Sequence, residues 1–146
     1  MLGDANSAWT YDEASGEYFL SLFTPNQPDL NWENPEVRRA IYNIMRFWLN
    51  RGVGGFRLDV INCISKDQKF QDAHIIDSKS KYQPGFEHFI SGPRFHEFLH
   101  EMNKEVLKGR DVLTVGECDY APDPKKEAIK TIAPEREELN SIFQFE

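Results

Sequence analysis

Apolar residues recur at helical spacing at Val37, Ile41, Ile44, Met45, Trp48 and Leu49, which predicts an amphipathic helix with one apolar stripe. Asn34 suits the cap, Pro35 the first helical position and Glu36 the first turn, while Gly52 stops the helix. A short apolar run over Gly55–Ile61 reads as a strand. Phe95, Phe98, Leu99, Met102 and Val106 define a second helical face, opening near Pro93 and closing at Gly109. VLTVGE, Val112 to Glu117, is a second short apolar strand ending in an acid. Asp123 and Pro124 open a third helix through Ile132, and SIFQFE begins a further strand. Helix and strand alternate throughout, which predicts an α/β fold with parallel strands and right-handed crossovers.

Two stretches fall outside this alternation. WTYDEASGEYFLSLF has aromatic-rich runs on either side of an Asp12–Gly16 turn, as in an antiparallel pair. Residues 65–91 are polar and irregular, and a connection of that length in a compact domain usually carries function.

Composition narrows the classes. With 146 residues, 40% of them hydrophobic, the chain can build the core of one ordinary domain. A formal charge of −7 counts against nucleic acid and anionic membrane surfaces as partners. The sequence has no apolar run approaching about 18 residues, so no membrane span is expected. Its first residues lack both a basic start and an apolar stretch, and Cys63 and Cys118 make no disulfide framework. A reducing, cytoplasmic location is the simplest expectation.

The candidate chemistry centres on GGFRLDVIN, Gly54 to Asn62. An acid inside an apolar strand is costly unless it is used or neutralised. Alternation places Arg57 on the same side as Asp59, where a cation favours the ionised carboxylate. An ordinary internal ion pair would explain this as well as a functional one. Glu117, however, ends the next strand, and in α/β folds ligands gather at the carboxyl ends of strands. Two carboxylates meeting there suit glycoside cleavage, one as nucleophile and the other as proton donor.

His96-Glu97-Phe98-Leu99-His100 fits the zinc-peptidase pattern H-E-x-x-H on a helix. It fits equally the edge of an outer helix whose apolar face is Phe95, Phe98, Leu99 and Met102. Cys63 and Cys118 follow the carboxylates with no evident base to activate them, which makes them bystanders. His74 and His88 lie in the long loop, where solvated histidines are the ordinary case. Phe86 and Phe89 suit either a sugar-stacking wall or anchors for that loop.

QPDLNWENPEVRRAIY, GGFRLDVINCISKD, VLTVGE and the closing FQFE resemble successive motifs of the α-amylase family of glycoside hydrolases (family 13), nearest to its oligo-1,6-glucosidase or isomaltase-like branch. The lead-in SAWTYDEASGEYFLSLF resembles the end of that family's inserted loop domain. The resemblance implies that residues 1–24 close the inserted domain. Residues 25–146 would form part of a (β/α)8 barrel, about strands 4 to 6 with the intervening helices.

It also implies roles. Asp59 matches the catalytic nucleophile, Arg57 the arginine that holds it, and Glu117 the general acid/base. Val60 matches the position where this branch carries Val for α-1,6-linked glucosides and maltases carry Thr or Ala. Asp29 and Asn31 belong to the motif that shapes the loop over the site. The substrate would be an oligosaccharide cleaved at terminal α-glucosidic links. No organic cofactor is implied, no metal ligand is assigned, and a structural Ca²⁺ is compatible with the family. Other family members stay open: trehalose-6-phosphate hydrolase, dextran glucosidase, sucrose isomerase, maltase, and the non-catalytic heavy chain of amino-acid transporters.

The chain departs from the family at Gly54, where Asp is usual. Neither the family's early histidine motif nor its later Asn-His-Asp motif has a counterpart here. The expectation is therefore about a quarter of an enzyme, which would need the rest of its barrel for a stable fold and would be inactive alone.

Overall fold

The computed structural model describes residues 7–145. The first six residues of the expected inserted-domain segment, and Glu146 of FQFE, lie outside the described residues. Strands β1 (Trp9–Asp12) and β2 (Glu17–Leu20) form an antiparallel hairpin, with Trp9 opposite Leu20 and Asp12 opposite Glu17. Then come helix α1 (Pro35–Leu49), strand β3 (Gly55–Leu58), helix α2 (Phe95–Met102), strand β4 (Leu113–Glu117), helix α3 (Pro124–Ile132) and strand β5 (Ser141–Phe143). The three later strands lie in the order β3-β4-β5, and both pairings are parallel. The predicted alternation and strand direction are both observed.

The caps work as the sequence suggests. The Asn34 side chain accepts from the Glu36 amide at 2.9 Å, and that of Asp123 from the Lys126 amide at 3.0 Å. Close approach of β3 to β4 requires glycine at 55, since a Cβ there would lie 1.9 Å from the Leu113 carbonyl oxygen. The main core lies between the sheet and α1 and α2. Phe95, Phe98 and Leu99 of α2 are fully buried, with Trp32, Tyr42, Met45 and Leu49 packed around them. Arg38 joins these layers. Its Nε donates to Glu101 at 3.0 Å and its terminal nitrogen to the Trp32 carbonyl at 2.6 Å, while its guanidinium lies 5.2 Å from the Phe98 ring centre.

Four elements differ from expectation. The strand predicted over Gly55–Ile61 ends at Leu58, because Val60 takes a left-handed φ of 38° and Ile61–Cys63 form a 3₁₀ turn. Asp59 is therefore outside the strand. The strand expected from Val112 begins at Leu113. On α1 the buried face runs through Tyr42, Met45 and Leu49, whereas Ile44 and Trp48 are about half exposed. Phe47 meets Trp48 edge-on and lies beneath Arg51. Finally, α2 ends at Met102 and continues as a π turn over Asn103–Leu107 rather than as α-helix to Gly109. There Asn103 donates to the Glu138 carbonyl at 3.0 Å.

The long 65–91 connection is internally tied. Gln83 accepts from the Ile76 and Asp77 amides and donates to the Asp77 and Ser80 carbonyls. The Asp67 amide donates to the His88 carbonyl at 2.7 Å, and the Ser91 amide to the Asn62 carbonyl at 2.8 Å. Phe98→Ala in the full-length protein that carries this chain is expected to lower unfolding free energy by about 3–5 kcal/mol. Urea denaturation with an unchanged m-value checks this.

Candidate active site

Strands β3 and β4 run side by side, with Leu58 opposite Gly116, so their carboxyl ends are adjacent. Glu117 is the last residue of β4, and its side chain is only 11% exposed. Asp59 stands one residue past β3, and its side chain is 75% exposed. Arg57 lies between them. One terminal nitrogen donates to Asp59 Oδ1 and the other to Glu117 Oε2. The sequence paired Arg57 with Asp59 alone; the fold gives it both carboxylates. The bond to Asp59, before any other influence, raises the Arg57 guanidinium above its ordinary range, so it stays charged.

Backbone geometry fixes this arrangement. Left-handed φ is uncommon for any residue but glycine and an outlier for a β-branched one. At Val60 it aims the amide at Glu117 Oε2, 3.2 Å away. The largely buried carboxylate thus has two donors. The Val60 side chain, expected to flank the leaving sugar, is half-buried against the cluster of Leu22, Cys63, Phe89 and Ile90. Asn62, fully buried, donates from Nδ2 to the Asp119 carbonyl at 2.7 Å and so ties the turn after β3 to the turn after β4. Phe143 on β5 lies opposite Glu117, with its ring centre 5.6 Å from the Arg57 guanidinium carbon. Sequence reasoning assigned no role to Asn62 or Phe143. Asn62 stands three residues after Asp59 in the key stretch, but only the parallel register reveals its cross-strand bond.

The loop residues behave as supports. Asp29 accepts from the Leu22 amide at 2.8 Å and pairs with Lys66 at 2.6 Å, and Asn31 accepts from the Glu33 amide at 3.1 Å. Phe89 is buried and anchors the long loop, whereas Phe86 stacks on Tyr120. His74 is exposed and bonded to Glu87. His88 is half-buried and lines a cavity of about 610 Å³ between the hairpin and the long loop. That cavity is also lined by Trp9, Phe70 and Tyr82, but by neither carboxylate.

The H-E-x-x-H pattern does not converge on a common point. His96 Nδ1 lies 2.8 Å from Glu138 and Nε2 3.4 Å from Glu127, His100 Nδ1 meets the Arg136 carbonyl at 2.9 Å, and Glu97 pairs with Arg94. No grouping of three His, Cys, Asp or Glu side chains suited to a metal occurs among the described residues. The same residues include no helix long and apolar enough to cross a membrane.

Residues 4–146 match the alpha amylase catalytic-domain family. The chain is 54% identical to the oligo-1,6-glucosidase of Parageobacillus thermoglucosidasius over 97% of its length and 25% of that protein's. It is 49% identical to the trehalose-6-phosphate hydrolase of Bacillus subtilis strain 168, over 95% of the chain and 23% of the relative. Among solved structures, Bacillus licheniformis trehalose-6-phosphate hydrolase superposes with a TM-score of 0.85 at 45% identity, covering 96% of this chain and 24% of the other. The isomaltulose synthase of Erwinia rhapontici NX5 superposes with a TM-score of 0.81 at 40% identity, covering 95% and 24%. The chain belongs to the alpha-amylase family, and its parallel sheet and helices are part of a (β/α)8 barrel. It spans about a quarter of the length of the curated relatives it matches.

Burial pushes both thiols, Cys63 and Cys118, up to about 12 from 9.0. Because the folded value is the higher one, their neutral form favours the native state fully below pH 9. That contribution is lost as pH rises from 9.0 towards about 12. Neither cysteine is expected to react with a disulfide reagent at pH 8 in the folded full-length protein, and both are expected to react in urea. Rapid reaction of either without denaturant would contradict this.

Proposed function

We propose that this chain is the part of a retaining α-glucosidase that carries its nucleophile and its acid/base, acting on terminal α-1,6 links of isomaltose-type oligosaccharides. The observation that carries the reading is the pair of carboxylates at adjacent parallel strand ends, held by one arginine. Asp59, open to solvent, attacks the anomeric carbon and forms a β-glucosyl ester. Glu117, entering the cycle with a proton on Oε1, the oxygen that Arg57 and the Val60 amide leave free, gives that proton to the departing oxygen, then takes one from the water that breaks the ester, so configuration is retained. Both carboxylates act directly, and no organic cofactor enters the scheme.

The linkage preference rests on Val60, whose amide contacts Glu117 and whose side chain packs beneath the same turn. The oligo-1,6-glucosidase name of a 54% identical relative agrees with it, and trehalose-6-phosphate hydrolase is the second reading because a relative of that name is 49% identical. In this scheme β1 and β2 close the inserted domain, the rest of the barrel completes the site, and the two free thiols suit the cytoplasm.

The test is an assay of the full-length protein that carries this chain. Isomaltose is expected to be cleaved faster than maltose and trehalose 6-phosphate, with the α-anomer of glucose appearing first. Asp59→Asn is expected to abolish turnover. Glu117→Gln is expected to lower kcat/KM for isomaltose by about 10²–10⁴-fold. It should affect p-nitrophenyl α-glucoside less, since that leaving group needs little proton assistance. Faster maltose cleavage would remove the Val60 argument, and first release of the β-anomer would remove the retaining scheme.

A further inference from the structure

Asn62 is fully buried in the 3₁₀ turn that follows Asp59, with buried Ile61 and Cys63 on either side in the chain. Its Nδ2 donates to the Asp119 carbonyl at 2.7 Å, while its Oδ1 has only the weak Cys63 thiol as a donor, at 3.9 Å. A buried amide so sparsely bonded is costly, and an apolar residue would serve packing alone at least as well. What accounts for it is the segment that its one strong bond holds in place.

That bond completes a two-point grip. The turn after β3 reaches the exit of β4 twice: the Val60 amide donates to Glu117 Oε2 at 3.2 Å, and Asn62 donates to the backbone two residues further on. One contact to the side chain and one to the backbone beyond it restrain both the position and the rotation of residues 117–119. The approach is close because residue 116 is glycine, where a Cβ would lie 3.0 Å from an Ile61 methyl group. Asp119 extends the restraint to β5, its Oδ1 accepting from the Phe145 amide at 3.0 Å, while the Cys118 amide donates to the Phe143 carbonyl at 3.0 Å. The nucleophile is held differently. Among the described residues the Asp59 side chain bonds to Arg57, on its own strand.

We propose that Asn62 is a positioning residue for the acid step: through the Asp119 carbonyl it keeps Glu117 Oε1 aimed at the departing oxygen. The inference rests on the α-glucosidase reading above. Arg57 and the Val60 amide both hold Oε2, so the direction of Oε1 follows from the backbone that carries the side chain. Releasing residues 117–119 misplaces the proton while Asp59 keeps its own partner. A displacement of about 1 Å is enough to lower a rate by on the order of 10²-fold.

Leaving groups separate this role from a purely structural one in the full-length protein. Isomaltose needs a proton on its departing oxygen, whereas p-nitrophenolate leaves with little help. Asn62→Leu keeps the branched shape and removes the donor. It is expected to lower kcat/KM for isomaltose by roughly ten- to hundredfold, chiefly through kcat, and that for p-nitrophenyl α-glucoside by less than about threefold. In the Glu117→Gln background the same substitution is expected to cause no further selective loss, because the proton that it positions is already gone. Asn62→Ser is expected to act in the same direction, and it replaces the leucine variant if leucine prevents folding. Equal losses on both substrates, an unaltered isomaltose rate, or a selective loss that persists in Glu117→Gln would overturn the positioning role. A Glu117→Gln variant with no selective loss of its own would instead overturn the glycosidase reading, and this inference with it.

Discussion

The site depends on one guanidinium shared by two carboxylates. Arg57 faces both Asp59 and Glu117 because β3 and β4 are parallel and in a register that brings their carboxyl ends together. Like charges so placed would repel, and a largely buried Glu117 without donors would be costly. Arg57 offsets the repulsion, and together with the Val60 amide it supplies the donors. The same contacts require the chain to leave β3 sharply, which explains why a β-branched residue sits in left-handed conformation there.

The remaining structure holds that corner still. Asn62 ties the turns after the two strands, and Phe143 brings β5 against the arginine. Behind the sheet, the fully buried face of α2 and the Arg38 contacts fix α1 and the preceding loop. The long connection is pinned by Phe89 and by Asp29–Lys66, so it covers one side of the site while Asp59 stays accessible. Within this part of the barrel Asp59 is open and Glu117 largely enclosed, which suits the nucleophile and acid roles proposed for them.

Much of this was legible in the sequence. Helical periodicity, Asn34 and Asp123 as caps and the strand-ending acids located α1, α2, α3 and the parallel sheet, because each is set by local patterning. The end of β3 was not legible, since Val-Ile after Asp59 continues a strand pattern and only the tertiary contact of Val60 with Glu117 explains the break. Ile44 and Trp48 match the helical period of the apolar stripe and are half exposed within this part of the barrel, while Tyr42, outside the predicted stripe, is buried. The second partner of Arg57 and the Asn62 cross-tie arise from strand register, which no single stretch encodes. The H-E-x-x-H spacing illustrates the converse: its residues share a helix face, but Glu138, Glu127 and Arg136 already occupy the two histidines.

The most direct measurement is to trap the covalent intermediate in the full-length protein that carries this chain. A glucosyl fluoride with a second fluorine at C5 reacts at the nucleophile and then releases slowly. Peptide mass spectrometry is expected to find the fluoroglucosyl label on Asp59 and to lose it in Asp59→Asn. A label on any other residue, or turnover with no labelled peptide under conditions that inactivate the protein, would contradict the account.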